Sequence, residues 1–120
     1  IPESATKGKS IPVTLYWYTS SPISADYTVF VHMLNQSEKI VSQADGIPAN
    51  GDWPTSSWHP GHPVIDIHTL IVPEDLQAGE YSLAIGLYNP QNSTRLSAFT
   101  SSGDEWRNSA ILTRHMIVMP

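Results

Sequence analysis

A hydrophobic alternation of period two, broken at short intervals by proline and glycine, constrains this chain more than any other feature. Val13, Leu15 and Trp17 alternate with Thr14, Tyr16 and Tyr18, so residues 12–19 read as a strand. Residues 26–34, DYTVFVHML, are β-branched and aromatic on both faces, as in a strand covered on both sides. A turn over 35–39 and a return strand over 40–44 make a hairpin. In 64–72, Ile65, Ile67, Thr69 and Ile71 share one face, and Val64, Asp66, His68 and Leu70 the other. Residues 81–88 show the cleanest half-buried pattern, with Tyr81, Leu83, Ile85 and Leu87 on one side. Short strands are expected over 94–99 and 111–119, a short turn of at most one helical turn over 73–80, and a loop over 100–109 with room for a helical turn at 104–107.

About seven strands with no amphipathic helix predict an all-β fold, an antiparallel two-sheet β-sandwich; a small barrel is the alternative. "Immunoglobulin-like" applies to shape alone, because the Cys…Trp…Cys signature is missing from a chain without cysteine. The 120 residues suit one domain, 1–120, that can bury a core without staples. Lacking cysteine, it has neither disulfides, thiolate metal sites nor a Cys nucleophile.

The net charge is −5, and the six basic residues (Lys7, Lys9, Lys39, Arg95, Arg107 and Arg114) are scattered. That distribution offers no track for a phosphate backbone and no basic membrane-surface helix, so nucleic acid and membrane insertion are not expected partners. Charged residues make up 14%, against about 25% in typical domains, so Ser, Thr, Asn, Gln and Pro must carry the polar surface. No apolar run reaches the roughly 20 residues of a membrane span, and no signal peptide opens the chain. Its first residue is Ile1, and the expectation is a domain excised from a longer exported protein.

Residues 45–63 interrupt the alternation and hold four of the ten prolines and three of the seven glycines. Here lie the candidate functional residues. His59, His62, Asp66 and His68 have the donor chemistry of a zinc site, but Pro60–Gly61 dictates a turn between the first two whether or not a metal binds. No G-x-S-x-G elbow, Ser/His/Asp order or phosphate-cradling glycine loop is present. Asp45, Asp52 and Asp66 can be drawn as a glycosidase carboxylate pair, though loop aspartates of this density are ordinarily turn formers. The aromatic residues point elsewhere. Trp53 and Trp58 in this loop, with Asp52 and Asp45 nearby, are candidates to stack on sugar rings and hydrogen-bond their hydroxyls. For Trp17 and Trp58 the favoured reading is plugs that seal the end of the sandwich, and Trp53 is the more open case. Asn35–Gln36–Ser37 and Asn92–Ser93–Thr94 are glycan acceptors if the source glycosylates such triplets.

Three phrases occur in order: VTLYWYTSSPISADYTVFVHML, QADGIPANGDWPTSSWHPGHPVID and LQAGEYSLAIGLYNPQNSTRL. Together they resemble a bacterial β-sandwich module found at the C-terminal end of multi-spanning membrane glycosyltransferases similar to the dolichyl-phosphate-mannose protein mannosyltransferase family, and in other cell-surface proteins. The resemblance runs through Leu15–Tyr16–Trp17, Asp26 to His32, Gln43, Asp45, Pro48, Gly51, Pro54 to Ser56, Trp58, Pro60–Gly61, Asp66, Gly79, Tyr81, Gly86 to Tyr88 and Arg95–Leu96. One departure is His62, where that pattern has an acidic or polar residue. In such enzymes the chemistry belongs to the membrane part. The resemblance therefore implies an accessory domain without catalysis or cofactor, on the extracytoplasmic side, with its parent membrane domain as partner in cis and a glycan or glycosyl acceptor as ligand. A structural spacer or protein-docking module is the alternative, and it expects an exposed apolar patch. A small metallohydrolase is the remote third reading.

Overall fold

The computed structural model describes residues 4–96, 98–99, 105–106 and 110–119. In chain order the strands are β1 (Ser4–Thr6), β2 (Ser10–Trp17), β3 (Thr28–Leu34), β4 (Ile40–Gln43), β5 (Val64–Ile71), β6 (Gly79–Tyr88), β7 (Arg95–Leu96), β8 (Ala98–Phe99), β9 (Glu105–Trp106) and β10 (Ala110–Met119). Short 3₁₀ turns lie at Pro48–Gly51 and Thr55–Ser57. The larger sheet runs β1-β10-β6-β3-β4, with β7 also on β6, and β2 pairs with β5 in a separate antiparallel ladder. Among the described residues all strand pairings are antiparallel except that of β1 with β10. The fold is an all-β sandwich.

The core lies between the two sheets. Ile11, Val13 and Leu15 of β2 and Val64 and Leu70 of β5 meet Val29, Val31 and Met33 of β3 and Leu83, Ile85 and Leu87 of β6. β3 lies within the sheet, flanked by β4 and β6, and its Val29, Val31 and Met33 face the core. Phe30, on the outer face, is buried beneath the Arg95 guanidinium, 4.5 Å from its ring centre, with His32 and Tyr88 beside it.

Two expectations change. The strand predicted over 94–99 is two pieces with different partners, β7 on β6 and β8 on β9. Glu105–Trp106 is extended and paired with β8, so the helical turn expected there does not form at those two residues; Asp104 and Arg107 lie outside the described residues. After Pro73 the chain makes the short turn expected there, closed by Leu76 N–H on Pro73 O. β1 was not anticipated: three residues paired to the far end of the chain leave no periodic signal.

Candidate functional site

Loop 45–63 joins β4 to β5 and is held down at many points. Gly46 and Val29 exchange both backbone hydrogen bonds, extending the β3–β4 pairing into the loop. Thr55 is fully buried; its Oγ1 accepts from Tyr27 N–H (3.0 Å) and donates to Ala25 O (2.6 Å). Ser56 N–H donates to Asp26 Oδ1 at 3.0 Å. Ser56, through its side chain and backbone N–H, holds the Asp26 carboxyl below its ordinary range.

The strongest tie is Asp66. Its side chain is completely buried on the inner face of β5. Oδ1 accepts from the backbone N–H of Ala49 in the loop (2.8 Å). Oδ2 accepts from Trp17 Nε1–H (3.0 Å) and faces His68 Nε2 at 2.7 Å. The other imidazole nitrogen, His68 Nδ1, lies 2.8 Å from Ala44 O. Both ring nitrogens thus face oxygen acceptors, an arrangement that only the imidazolium satisfies at once. Burial works against charge on each partner and is outweighed. His68, the Ala49 N–H and Trp17 keep the Asp66 carboxyl below its ordinary value of 3.8. Asp66 foremost, then Ala44 O and the more distant Asp45, raise His68 above 6.5. The pair is a buried carboxylate–imidazolium with its bonding capacity spent inside the protein.

Above this pair stand the tryptophans. Trp17 stacks on Trp58 with ring centres 5.9 Å apart, and Trp58 is 3% exposed. Trp58 Nε1–H donates to the backbone oxygen of Trp53 (2.9 Å), so the buried ring fixes the backbone that carries the exposed one. Trp53 is 48% exposed. The next turn is type II: His62 N–H bonds His59 O (3.1 Å), with Pro60 second and Gly61 third at φ 82°. It sets the rings of His59 and His62 6.3 Å apart, nearly perpendicular and exposed. Trp53, Trp58, His59, His62, Pro63 and Val64 line a shallow hollow of about 300 Å³.

Of the residues singled out from sequence, the fold gathers Trp53, Trp58, His59 and His62 at this hollow. Asp52 is exposed beside Trp53 in the chain. Asp45 is placed elsewhere: its Oδ1 accepts from Val31 N–H (3.2 Å) and lies 3.4 Å from His32 Nε2, so it does not join the tryptophans. Asp66 and His68 also separate from His59 and His62, because they point into the core. Among the described residues no group of three His, Asp or Glu side chains is placed to hold a metal ion. Nor does any buried side-chain nitrogen or oxygen there lack a hydrogen-bond partner. Thr55 was expected to satisfy backbone groups within the loop and Asp66 to tie the loop down; the burial of Thr55, its backbone partners outside the loop, and the Trp17–Asp66 bond were not foreseen. A threonine inside a Pro/Ser loop carries no burial signal, and Trp17 and Asp66 are 49 residues apart.

A larger hollow, about 580 Å³, lies at the other end of β3 between the turns 35–37 and 73–81. Its aromatic residue, Tyr81, spends its hydroxyl on Gln77 O. That leaves the Trp53 hollow as the place where an open aromatic face and imidazoles converge.

No protein-family model, curated protein or solved structure matches this chain.

Proposed function

We propose that this chain is a non-catalytic accessory domain of a membrane glycosyltransferase or related cell-surface protein, and that it binds a glycan or glycosyl acceptor at the Trp53 hollow. One observation carries the reading: Trp53 offers a half-exposed indole on a backbone clamped by the buried Trp58, beside two exposed imidazoles. A flat apolar ring held in place suits the C–H face of a pyranose, and imidazole nitrogens suit its hydroxyls. The hollow is the size of one sugar ring, and the sparse charge around it suits a neutral ligand. Chemistry and cofactors are left to the parent membrane domain, the partner in cis on the extracytoplasmic side. Asp66 and His68 are excluded from catalysis in this reading, since each already satisfies the other in the core.

Binding at one ring is expected to be weak, with a dissociation constant near 1 mM, or about 4 kcal/mol. The test is a titration of the ¹⁵N-labelled chain with neutral cell-wall mono- and oligosaccharides, following the indole N–H of Trp53. A saturable shift that disappears in Trp53→Ala supports the assignment. No shift with any of these saccharides would sink it.

A further inference from the structure

His68 is buried, titratable and without a task in the glycan reading, yet the ties of loop 45–63 converge on it. Its Nδ1–H donates to Ala44 O, the last carbonyl before the loop, at 2.8 Å. Its Nε2–H donates to Asp66 Oδ2 at 2.7 Å. Asp66 in turn reaches the loop by two routes. Oδ1 holds the N–H of Ala49 directly. Oδ2 holds the indole N–H of Trp17, whose ring stacks on Trp58, whose own N–H holds Trp53 O. Gly46 packs on the imidazole itself: a Cβ there would stand 3.8 Å from His68 Cε1. We propose that His68 is a proton-operated latch on loop 45–63: protonated, it ties the start of the loop to the carboxylate that orders Ala49 and the tryptophans, and neutral, it releases Ala44 and loosens the backbone that carries Trp53.

The reason is the donor count. A neutral imidazole has one N–H, and both neighbours here are acceptors. The carboxylate, closer and charged, keeps that proton. Nδ1 then turns a lone pair on Ala44 O, and a partly buried carbonyl loses its donor at the entry to the loop. Asp66 keeps Ala49 and Trp17 but loses its cation, so the response is a loosening of 44–49 and not a collapse of the core. The turn at 48–51 passes it on, because Trp53 N–H is bonded to Pro48 O at 3.2 Å. The charged groups acting on His68 are Asp66 on its own strand and Asp45 from the loop; Asp45 lies 3.4 Å from His32 Nε2 of β3. β2 brings Val13 opposite His68 and Trp17 onto Asp66, and neither titrates. These carboxylates favour the imidazolium, so the latch is closed at pH 6.5 and opens as pH rises through the higher folded value. Sugar affinity at the Trp53 hollow should decline over the same interval, and that consequence alone rests on the glycan reading.

The test is ligand-free NMR of the 120-residue chain from about pH 5.5 to 8.5. A His59→Gln/His62→Gln background removes the two exposed imidazoles that line the hollow with Trp53. The His68 Cε1–H should titrate with a midpoint above 6.5. The amides of Gly46 and Ala49 and the indole N–H signals of Trp17 and Trp53 should follow the same midpoint. Exchange protection at Ala49, corrected for the intrinsic pH dependence, should fall severalfold and stay below that of Leu83, the mark of local opening. His68→Gln should leave the loop signals flat. Asp45→Asn keeps the oxygen that Val31 N–H uses and leaves the buried pair in place; it should lower the midpoint and carry the loop signals with it. Loop signals that stay still while His68 titrates overturn the inference, as does a midpoint at or below 6.5. Failure of the glycan reading would show as a missing saccharide shift and would leave every one of these signals unaltered.

Discussion

The inner and outer faces of the β2–β5 ladder are made by the same two strands and are built on opposite rules. Inside, among Val13, Leu15, Val64 and Leu70, sits a carboxylate with an imidazole, both buried. Outside, Ile65, Ile67 and Ile71 stand in water. The inner charges are tolerated because Asp66 has three donors and His68 two acceptors, so desolvation is offset by complete hydrogen bonding. The outer isoleucines make no such bargain with solvent. The contrast separates what holds the domain together from what it shows to solvent: Asp66 and His68 of β5 are structural, and Ile65, Ile67 and Ile71 are the surface.

The largest effect expected breaks that contrast directly. Asp66→Ala strips the acceptor from Trp17, Ala49 N–H and His68 at once and leaves an unpaired buried imidazole. The cost should be about 3–5 kcal/mol, read from the midpoint of urea unfolding. Ile67→Thr on the opposite face should move stability by less than about 0.5 kcal/mol. If the isoleucine proves as costly as the aspartate, the two faces have been misassigned.

A smaller effect comes from protonation alone, because the partners stay in place while only the charge changes. The folded His68 binds its proton more tightly than the ordinary 6.5, so its contribution is complete below pH 6.5 and is lost as pH rises through the higher folded value. Folded Asp66 titrates below 3.8, so its contribution is complete above that value and lost as pH falls through the lower folded one. The pair therefore stabilises most between about pH 3.8 and 6.5. Asp45 adds a smaller push that raises His68 further. Thermal unfolding across pH 3–9 is expected to show stability falling on the alkaline side, and His68→Gln should flatten that limb. A wild-type curve with no alkaline decline would mean that His68 is neutral in the folded chain.

How much of this was legible beforehand differs between the two faces as well. The strand at 64–72, its two sets of side chains and the Pro60–Gly61 turn follow from period two and from the φ preferences of proline and glycine. Which set faces the core does not follow. Val64 and Leu70 vote for one side, three isoleucines for the other, and local hydrophobicity favours the side that ends in solvent. The decision rests on Trp17 and Ala49, which reach Asp66 from 49 and 17 residues away, and alternation carries no such long-range information. The same gap explains the loop. Sequence already favours Trp58 as the plug and leaves Trp53 as the open ring; the stacking of Trp58 on Trp17, 41 residues away, is what it does not give. Asp45 sits as close to the loop as Asp52 does, yet the pairing of β3 with β4 turns it toward Val31 and His32.

The smallest effect sharpens the claim that the inner network holds the loop. Ala49 and Asn50 adopt left-handed backbone, at φ 55° and 56°, conformations that cost a residue with a Cβ roughly 1–2 kcal/mol. Ala49 is also the residue whose N–H is claimed by Asp66. Glycine there removes the steric cost but adds freedom to the unfolded chain and deletes a partly buried methyl, so Ala49→Gly should stabilise by only about 0.5 kcal/mol. Its sign in a second background is the informative part. If the carboxylate is what keeps Ala49 left-handed, Asp66→Ala frees that segment to relax. Glycine then has no strain to relieve, and the gain should vanish or reverse. A double-mutant cycle by urea unfolding measures this, with a coupling of at least about 0.5 kcal/mol expected. Strict additivity would mean that the left-handed turn is held by Pro48 and the surrounding loop rather than by the buried pair.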